Sequence, residues 1–346
     1  MAHHRRAVDG ASSPAPTCVD PFMRVALVGA GAVGARAARQ LASTDAVEFV
    51  LVADADAERA RGVVASLGEE LSAVDDDPTD VDVVILAAPG SHTEAARRFV
   101  DRGIPVVSVA DDIGDVRSLL ELDEMARRKD VSVVVGAGFS PGLTCVLAAH
   151  AAAALDRVDE VHVAKVGTGG PSCAQAHHRA LAGAALDWRD GEWVTRRAGS
   201  GRELCWFPDP IGGEDCYRAA LPDALLLAPA FPGVERITAR MGANRRDRIT
   251  SRFPMLRPPH PEGGPGAARV EVRGRRGSAR VVQVLGAMDR PAVAAGTVAA
   301  LAAVAAGSGQ LRRRGAGGLA ELVDPLWFLG LLAQRGVKAA VFEGAA

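Results

Sequence analysis

Residues 25–36 read VALVGAGAVGAR. An apolar run reaches Val28, breaks into Gly29, Gly31 and Gly34, and resumes in small residues that suit a helix. The next apolar run, Val47 to Ala53, closes on Asp54, about 20 residues after the last glycine of the turn. With 38 glycines in the chain a bare GxGxxG carries little weight. Its setting carries more: strand, glycine turn, helix and a second strand ending in an acid is the order that a dinucleotide site needs. Gly29 permits the tight turn, Gly31 lets the backbone approach a pyrophosphate, and Gly34 lets helix and strand pack closely. The pyrophosphate then meets the helix N-terminus, with Ala32 and Val33 beside it. Asp54 would accept hydrogen bonds from the ribose hydroxyls and repel a 2'-phosphate, which favours NAD over NADP, although Arg59 in the next helix could serve a phosphate.

The same rhythm continues outward from this stretch. Val81 to Ala87, Pro105 to Val109 and Val131 to Val135 read as apolar strands, separated by helices over about Thr93 to Asp101 and Val116 to Arg128. Continuous Val/Ile/Leu strands between amphipathic helices imply a parallel sheet covered on both faces, a doubly wound Rossmann domain over 23–150. The segment Ala87-Ala88-Pro89-Gly90-Ser91-His92 leaves a strand at its carboxyl end, where such folds place ribose and nicotinamide, so Ala88 and Pro89 join the expected cofactor contacts. His92 is a candidate for catalysis or for the cofactor wall, and Asp111 and Asp112 read as helix-start contacts.

A second glycine break, VVVGAGFSPGLT at 133–144, poses the question of a second nucleotide site. No strand with a terminal acid follows it, so it reads as the exit from the first domain. This run resembles the saccharopine dehydrogenase-like family, whose members close the dinucleotide domain with a Gly-x-x-Pro-Gly turn against the nicotinamide and substrate. Gly138-Phe139-Ser140-Pro141-Gly142 matches that turn, and Pro141 suits a first helical position. The resemblance extends to the glycine turn at 29–34, a following substrate domain and the closing segment LVDPLWFLGLLAQRGVKAAVFEG. It implies an NAD(P)-dependent oxidoreductase that transfers a hydride at the C–N bond of an amino-acid-derived imine or secondary amine, with Gly138, Pro141 and Gly142 at the cofactor. A sugar- or alcohol-oxidising enzyme of the Gfo/Idh/MocA type shares the two-domain plan, but the Glu-Lys-Pro usual there is replaced by GIPVVSVADD. A cofactor-binding sensor without turnover is the reading from a different class.

The second half, over 151–315, is expected to form an α+β domain with a largely antiparallel or mixed sheet, and 316–346 to pack back on the Rossmann domain. Val158 to Val166 and Val234 to Met241 read as strands, 268–286 as a hairpin, and Ala174 to Leu186 as a helix. A sheet open on one face would serve as substrate platform, with the Pro/Gly-rich loops FPDPIGGEDCYR and PMLRPPHPEGGPGA as lids. Lys165 interrupts an apolar strand in a chain whose other lysines are Lys129 and Lys338. A desolvated lysine can act as proton donor or relay in C=N reduction, and snorkelling to solvent is the plainer alternative. His162 and Lys165 are weakly similar to the His/Lys pattern of dihydrodipicolinate reductases, at a different spacing, and the turn Gly167 to Ser172 offers backbone N–H groups to a carboxylate. At most one of His177 and His178 can face a cleft, and Arg218, Arg240, Arg245, Arg246 and Arg248 form an unranked pool of carboxylate anchors.

Composition bounds the class. At 346 residues, with 48% hydrophobic and 24% charged residues, the chain can bury two domains. Its net charge of -2 gives no general attraction to nucleic acid or acidic membranes. Cys18, Cys145, Cys173, Cys205 and Cys216 are scattered, with no metal-ligand or disulfide spacing, which fits a reducing cytoplasm. Residues 1–22 read as a disordered leader, and PAVAAGTVAALAAVAA at 291–306 as a buried helix with Pro291 in its first turn. The expected ligand is a small, carboxylate-bearing molecule, and the expected assembly a homodimer.

Overall fold

The computed structural model describes residues 22–253, 255, 259–337 and 339–341; the leader expected over 1–22 lies, but for Phe22, outside them. The first domain runs β1 (Met23–Val28), α1 (Ala32–Ala42), β2 (Val47–Ala53), α2 (Ala57–Leu67), β3 (Ser72–Val74), β4 (Val83–Leu86), α3 (Thr93–Asp101), β5 (Val106–Ser108), α4 (Ile113–Leu120), α5 (Asp123–Arg128), β6 (Ser132–Val135) and α6 (Leu143–Ala152). The helix expected over 116–128 is two: α4 ends at Leu120, with Glu121 as its C-cap, and α5 starts at Asp123 after Leu122.

The chain continues through β7 (Arg157–Val166), α7 (Pro171–Ala180), β8 (Ala184–Arg189), β9 (Glu192–Arg197), β10 (Glu203–Trp206), β11 (Gly213–Arg218), α8 (Asp223–Leu227), β12 (Arg236–Gly242), α9 (Arg245–Thr250), β13 (Gly266–Arg276) and β14 (Ala279–Asp289). It closes with α10 (Pro291–Gly307), β15 (Gly315–Gly317), α11 (Leu319–Leu322), α12 (Pro325–Gln334) and β16 (Ala339–Val341). The expected helix from Ala174 to Leu186 stops at Ala180, and Leu186 belongs to β8, which pairs with β9 and β12.

Two sheets result. The first is seven-stranded and parallel throughout, in the order β15-β6-β5-β4-β1-β2-β3. Its order reverses between β1 and β4, and the carboxyl ends of those strands frame the crevice in which such sheets bind ligands. The second is mixed, in the order β10-β11-β12-β7-β13-β14-β16, with β12 parallel to β7 and antiparallel neighbours elsewhere. One face of it, with Val161, Val163, Ile237, Ala239, Met241, Val270 and Val272, shares a continuous core with the first domain.

The chain returns to the Rossmann layer at Pro291 rather than at 316. Helix α10 is apolar all round and packs on α1, where Gly296 leaves no room: a Cβ there would stand 2.6 Å from Arg36 Cβ and 2.8 Å from Ala37 N. An alanine-rich helix without a polar face has to be buried on several sides, and α10 is covered by α1, β4 and β5, with α12 and α6 also against it. Strand β15 then extends the parallel sheet beside β6, while β16 crosses back to pair with β14. No helix among the described residues is long and apolar enough to cross a membrane.

Candidate active site

The first glycine turn has the shape a dinucleotide needs. Gly29 sits at φ +105, and a Cβ on it would lie 2.2 Å from Ala88 N, so the turn after β1 presses on the segment leaving β4. A Cβ at Gly34 would fall 1.8 Å from Gly29 O, which closes helix against turn. Gly31 is the opposite case, since a Cβ there would meet nothing within 4 Å. Helix α1 also begins without a side-chain cap and without an acid in its first turn. An uncapped helix start that is open at Gly31, with Ala32 and Val33 in its first turn, fits the pyrophosphate of a nicotinamide dinucleotide.

Asp54 follows the end of β2, beside the glycine turn. Its carboxylate accepts from Ala30 N at 2.6 Å and Asp56 N at 2.8 Å, so it braces the glycine turn. Arg59 lies 3.6 Å from Asp54 and 3.3 Å from Asp56.

The second glycine break is closed where the first is open. Gly142 has φ +125, and a Cβ on it would stand 2.2 Å from Gly138 O and 2.4 Å from Gly138 N. Gly138 N donates to Pro141 O, and the leading amides of α6, Leu143 and Thr144, donate back to Gly138 O and Phe139 O. The amides that would hold a phosphate are therefore spent within the turn. Pro141 precedes the helix by two residues instead of occupying its first position, because Gly142 caps α6.

Lys165 reaches this turn from the other domain: its Nζ lies 3.4 Å from Ser140 O. Strand periodicity decides which other candidates can join it. Lys165 is level with Met241 on β12 and Ala268 on β13, and Met241 is level with Tyr217 on β11, so these side chains share the face turned to the first domain. His162, an odd number of residues away on an unbroken strand, points to the opposite face. There it contacts Thr238 Oγ1 at 2.9 Å and Glu160 at 2.8 Å, with burial holding its pKa below the usual histidine value. The pairing of His162 with Lys165 is thus corrected by the pleat.

The pleat also ranks the arginines. Arg218 and Arg240 are level with each other and with Ala164, on the face away from Lys165, where they pair with Asp187 at 3.0 Å and Glu203 at 2.7 Å. Arg248 lies on the Lys165 side, its guanidinium 4.1 Å above the Tyr217 ring. Arg245 and Arg246 line an open surface hollow with Ile249 and Thr250. The face that carries Lys165 is therefore the one packed toward the turn at 138–142, and Arg218 and Arg240 lie on the outer one. The loop at 207–218 is no lid, since Phe207 and Ile211 pack on the outer face with Ala164 and Val166, and its second half is β11.

Helix α7 contributes what the sequence left undecided. Its leading Gly170 presses on Ala32, with a Cβ there 2.7 Å from Ala32 Cβ, so the turn at 167–172 abuts the dinucleotide turn. Glu262 bridges Arg36 of α1 at 3.0 Å and Arg290 at 3.4 Å, which ties the described part of the second Pro/Gly loop to the cofactor helix. His178 contacts Phe253 O at 2.9 Å. His177 turns inward with a buried Nδ1 that has no partner among the described residues, and burial followed by the Lys165 charge lowers its pKa to about 3, so its ring is neutral. Cys173, one turn earlier, feels both Asp111 and Lys165. Two adjacent histidines give no sequence signal for which one faces in; the docking of α7 decides it.

His92 is structural in position. It is buried, with Nε2 2.7 Å from Ala88 O and Nδ1 2.7 Å from Ser108 Oγ. A carbonyl can only accept, so in the neutral ring Nε2 carries the proton and the Ser108 hydroxyl donates to Nδ1. Both nitrogens are engaged in fixing the Ala88–Pro89 segment. Asp112 caps α4, and Asp115 caps the start of α3 by accepting from His92 N and the Ser91 and Thr93 hydroxyls. Burial would raise the Asp115 pKa, but these hydrogen bonds outweigh it and hold the pKa below the ordinary aspartate value. Asp115→Asn should therefore cost about 1–3 kcal/mol at neutral pH. A depressed folded pKa gives stability that is present above the unfolded value and lost as pH falls through the folded one. Urea curves of the two proteins should be separate at neutral pH and converge in acid.

Residues 23–137 match the Gfo/Idh/MocA oxidoreductase family, NAD-binding Rossmann fold. The chain thus carries the dinucleotide-binding domain of an NAD(P)-dependent oxidoreductase, and the match ends inside the second glycine break. Over the whole chain the fold is similar to that of apo saccharopine dehydrogenase (L-Glu forming) from Saccharomyces cerevisiae, with TM-score 0.64, 14% identity, and coverage of 92% of this chain and 100% of that one. An engineered D-amino acid dehydrogenase bound to NADP+ aligns at TM-score 0.50 and 17% identity, over 91% of this chain and 99% of that one. At these identities the likeness is one of fold, and it covers both domains.

Proposed function

We propose that the protein is an NAD-preferring dehydrogenase that transfers a hydride at the C–N bond of an amino-acid-derived imine or secondary amine, with Lys165 as the proton donor. The observation that carries this reading is the approach of Lys165 Nζ to Ser140 O, which brings a cationic side chain of the substrate domain to the turn that ends the cofactor domain. When bound, the nicotinamide supplies or accepts the hydride. The chain's own residues do the rest: Lys165 gives a proton to the substrate nitrogen as its carbon is reduced, or removes it in the other direction. Neutral His177 offers the substrate a hydrogen-bonding nitrogen, and Arg248, stacked on Tyr217, takes a carboxylate at the far side of the cleft. Phe139 and the turn 138–142 wall the site from water. The free thiols of Cys145, Cys173, Cys205 and Cys216 are in keeping with a reducing cytoplasm.

The match of the first domain favours one second reading, oxidation of a sugar or alcohol carbon. Against it, the segment leaving β5 reads Val109-Ala110-Asp111-Asp112 and supplies no lysine. Fluorescence titration with NADH and NADPH tests the cofactor half. NADH should bind more tightly than NADPH, and Asp54→Ala should weaken it by about 10- to 100-fold, the worth of a charge-assisted hydrogen bond. Tighter NADPH binding would hand the adenosine end to Arg59, and binding of neither would sink the proposal. Oxidation of polyols but of no amino acid, with NAD+ supplied, would give the second reading the site.

A further inference from the structure

Asp223 opens α8 and is fully buried, at 0% exposure. A carboxylate in that position is costly unless hydrogen bonds and a counter-charge compensate. Its Oδ1 accepts from Thr144 Oγ1 at 2.7 Å and from Ser140 Oγ at 3.0 Å, while Oδ2 lies 3.1 Å from the same serine hydroxyl. Ser140 is itself buried, and its backbone oxygen is the atom that Lys165 approaches. One residue thus carries both links: its hydroxyl is held by Asp223 and its carbonyl meets Lys165.

We propose that Asp223 is a positioning residue, which through Ser140 fixes the turn 138–142 and so holds Lys165 at the face of the first domain where the nicotinamide would lie. The inference rests on the role given to Lys165 above. Among the described residues, little else surrounds Lys165 to do this. Strands β12 and β13 present Met241 and Ala268 beside Lys165, and the titratable groups nearby are Cys173 and His177 on α7, Asp111 beyond β5, and Cys145 on α6 next to Asp223. Burial raises the Asp223 pKa, and the Thr144 hydroxyl, the Lys165 charge and the Ser140 hydroxyl oppose it. A plain core fastener between Ser140 and Thr144 would need no carboxylate.

Reductive methylation with formaldehyde and borane, read by peptide mass, tests this with Lys129 as internal reference on the surface beside Asp101. Asp223→Ala should raise Lys165 labelling relative to Lys129 by about fivefold, the factor for one net hydrogen bond. Asp223→Asn keeps an oxygen for both hydroxyls and should restore most of the protection. Labelling unchanged in Asp223→Ala would overturn the proposal, as would an Asn variant that labels as fast as the Ala variant. If Asp223→Ala does not fold, Ser140→Ala cuts the same link from the other end, and unchanged labelling there overturns it equally. NADH titration of the same proteins separates the two readings: failure of the unmutated protein to bind NADH strikes the proposed function, while the labelling still reports on Asp223.

Discussion

Lys165→Met lowers kcat by about a hundred- to ten-thousandfold, the range for loss of a positioned acid or base, and leaves NADH affinity unchanged. Methionine is close in length and apolar, so the packing of β7 between β12 and β13 is kept while the proton is lost. The effect should fall on kcat and kcat/KM together, because proton transfer to nitrogen contributes in the transition state and little to substrate binding. His162→Ala is the contrasting variant. It lies three residues away in sequence but on the other face of the sheet, and turnover should be retained. A Lys165→Met enzyme with full activity would remove the lysine from the chemistry and leave His177 as the nearest alternative. Single-turnover measurement of NADH oxidation decides it once a substrate has been found.

Gly29→Ala destabilises the fold by about 3–5 kcal/mol and abolishes NADH binding. Two effects add. An alanine at φ +105 is strained whatever its neighbours, and its Cβ would lie 2.2 Å from Ala88 N, a backbone atom that cannot rotate aside. To relieve the clash the segment leaving β4 must move, and that segment is clamped by His92 through Ala88 O and Ser108. Gly31→Ala separates cofactor space from fold. Its Cβ meets no protein atom within 4 Å, so stability should change by no more than about 1 kcal/mol, while the methyl enters the space assigned to the pyrophosphate and weakens NADH binding. Thermal unfolding and NADH titration of the pair check both statements. Equal stability loss in the two variants would mean that the glycine turn serves packing alone.

Local rules made the first domain legible. Strand β2 spans Val47–Ala53 and helix α3 spans Thr93–Asp101 as read from the sequence, and Pro291 begins α10. In a buried parallel sheet each strand is a continuous apolar run, and Asp56 and Asp112 cap the helices that follow β2 and β5, so much of the information is contiguous in the chain. The acid at Asp54 and the three glycines were legible for the same reason. The second domain was less so: the start of β8 was read as the end of a helix, its buried residues Ala185, Leu186 and Asp187 forming a short run without alternation, and β9 was missed, since the exposed Glu192, Trp193, Arg196 and Arg197 give a strand with no buried face to mark it.

Sequence by itself determined the doubly wound domain, the place of its dinucleotide turn and the candidacy of Lys165, because each rests on residue types at short, fixed spacing. Tertiary structure alone decided that His162 and Lys165 look opposite ways, that Arg248 and not Arg218 or Arg240 shares the lysine's face, and that His177 turns inward. It alone placed Asp223 behind Ser140, 83 residues away in the chain. Which face of a strand meets a partner depends on pairing across the sheet and on how helices dock over it. Those contacts join residues far apart in sequence, and no local pattern encodes them.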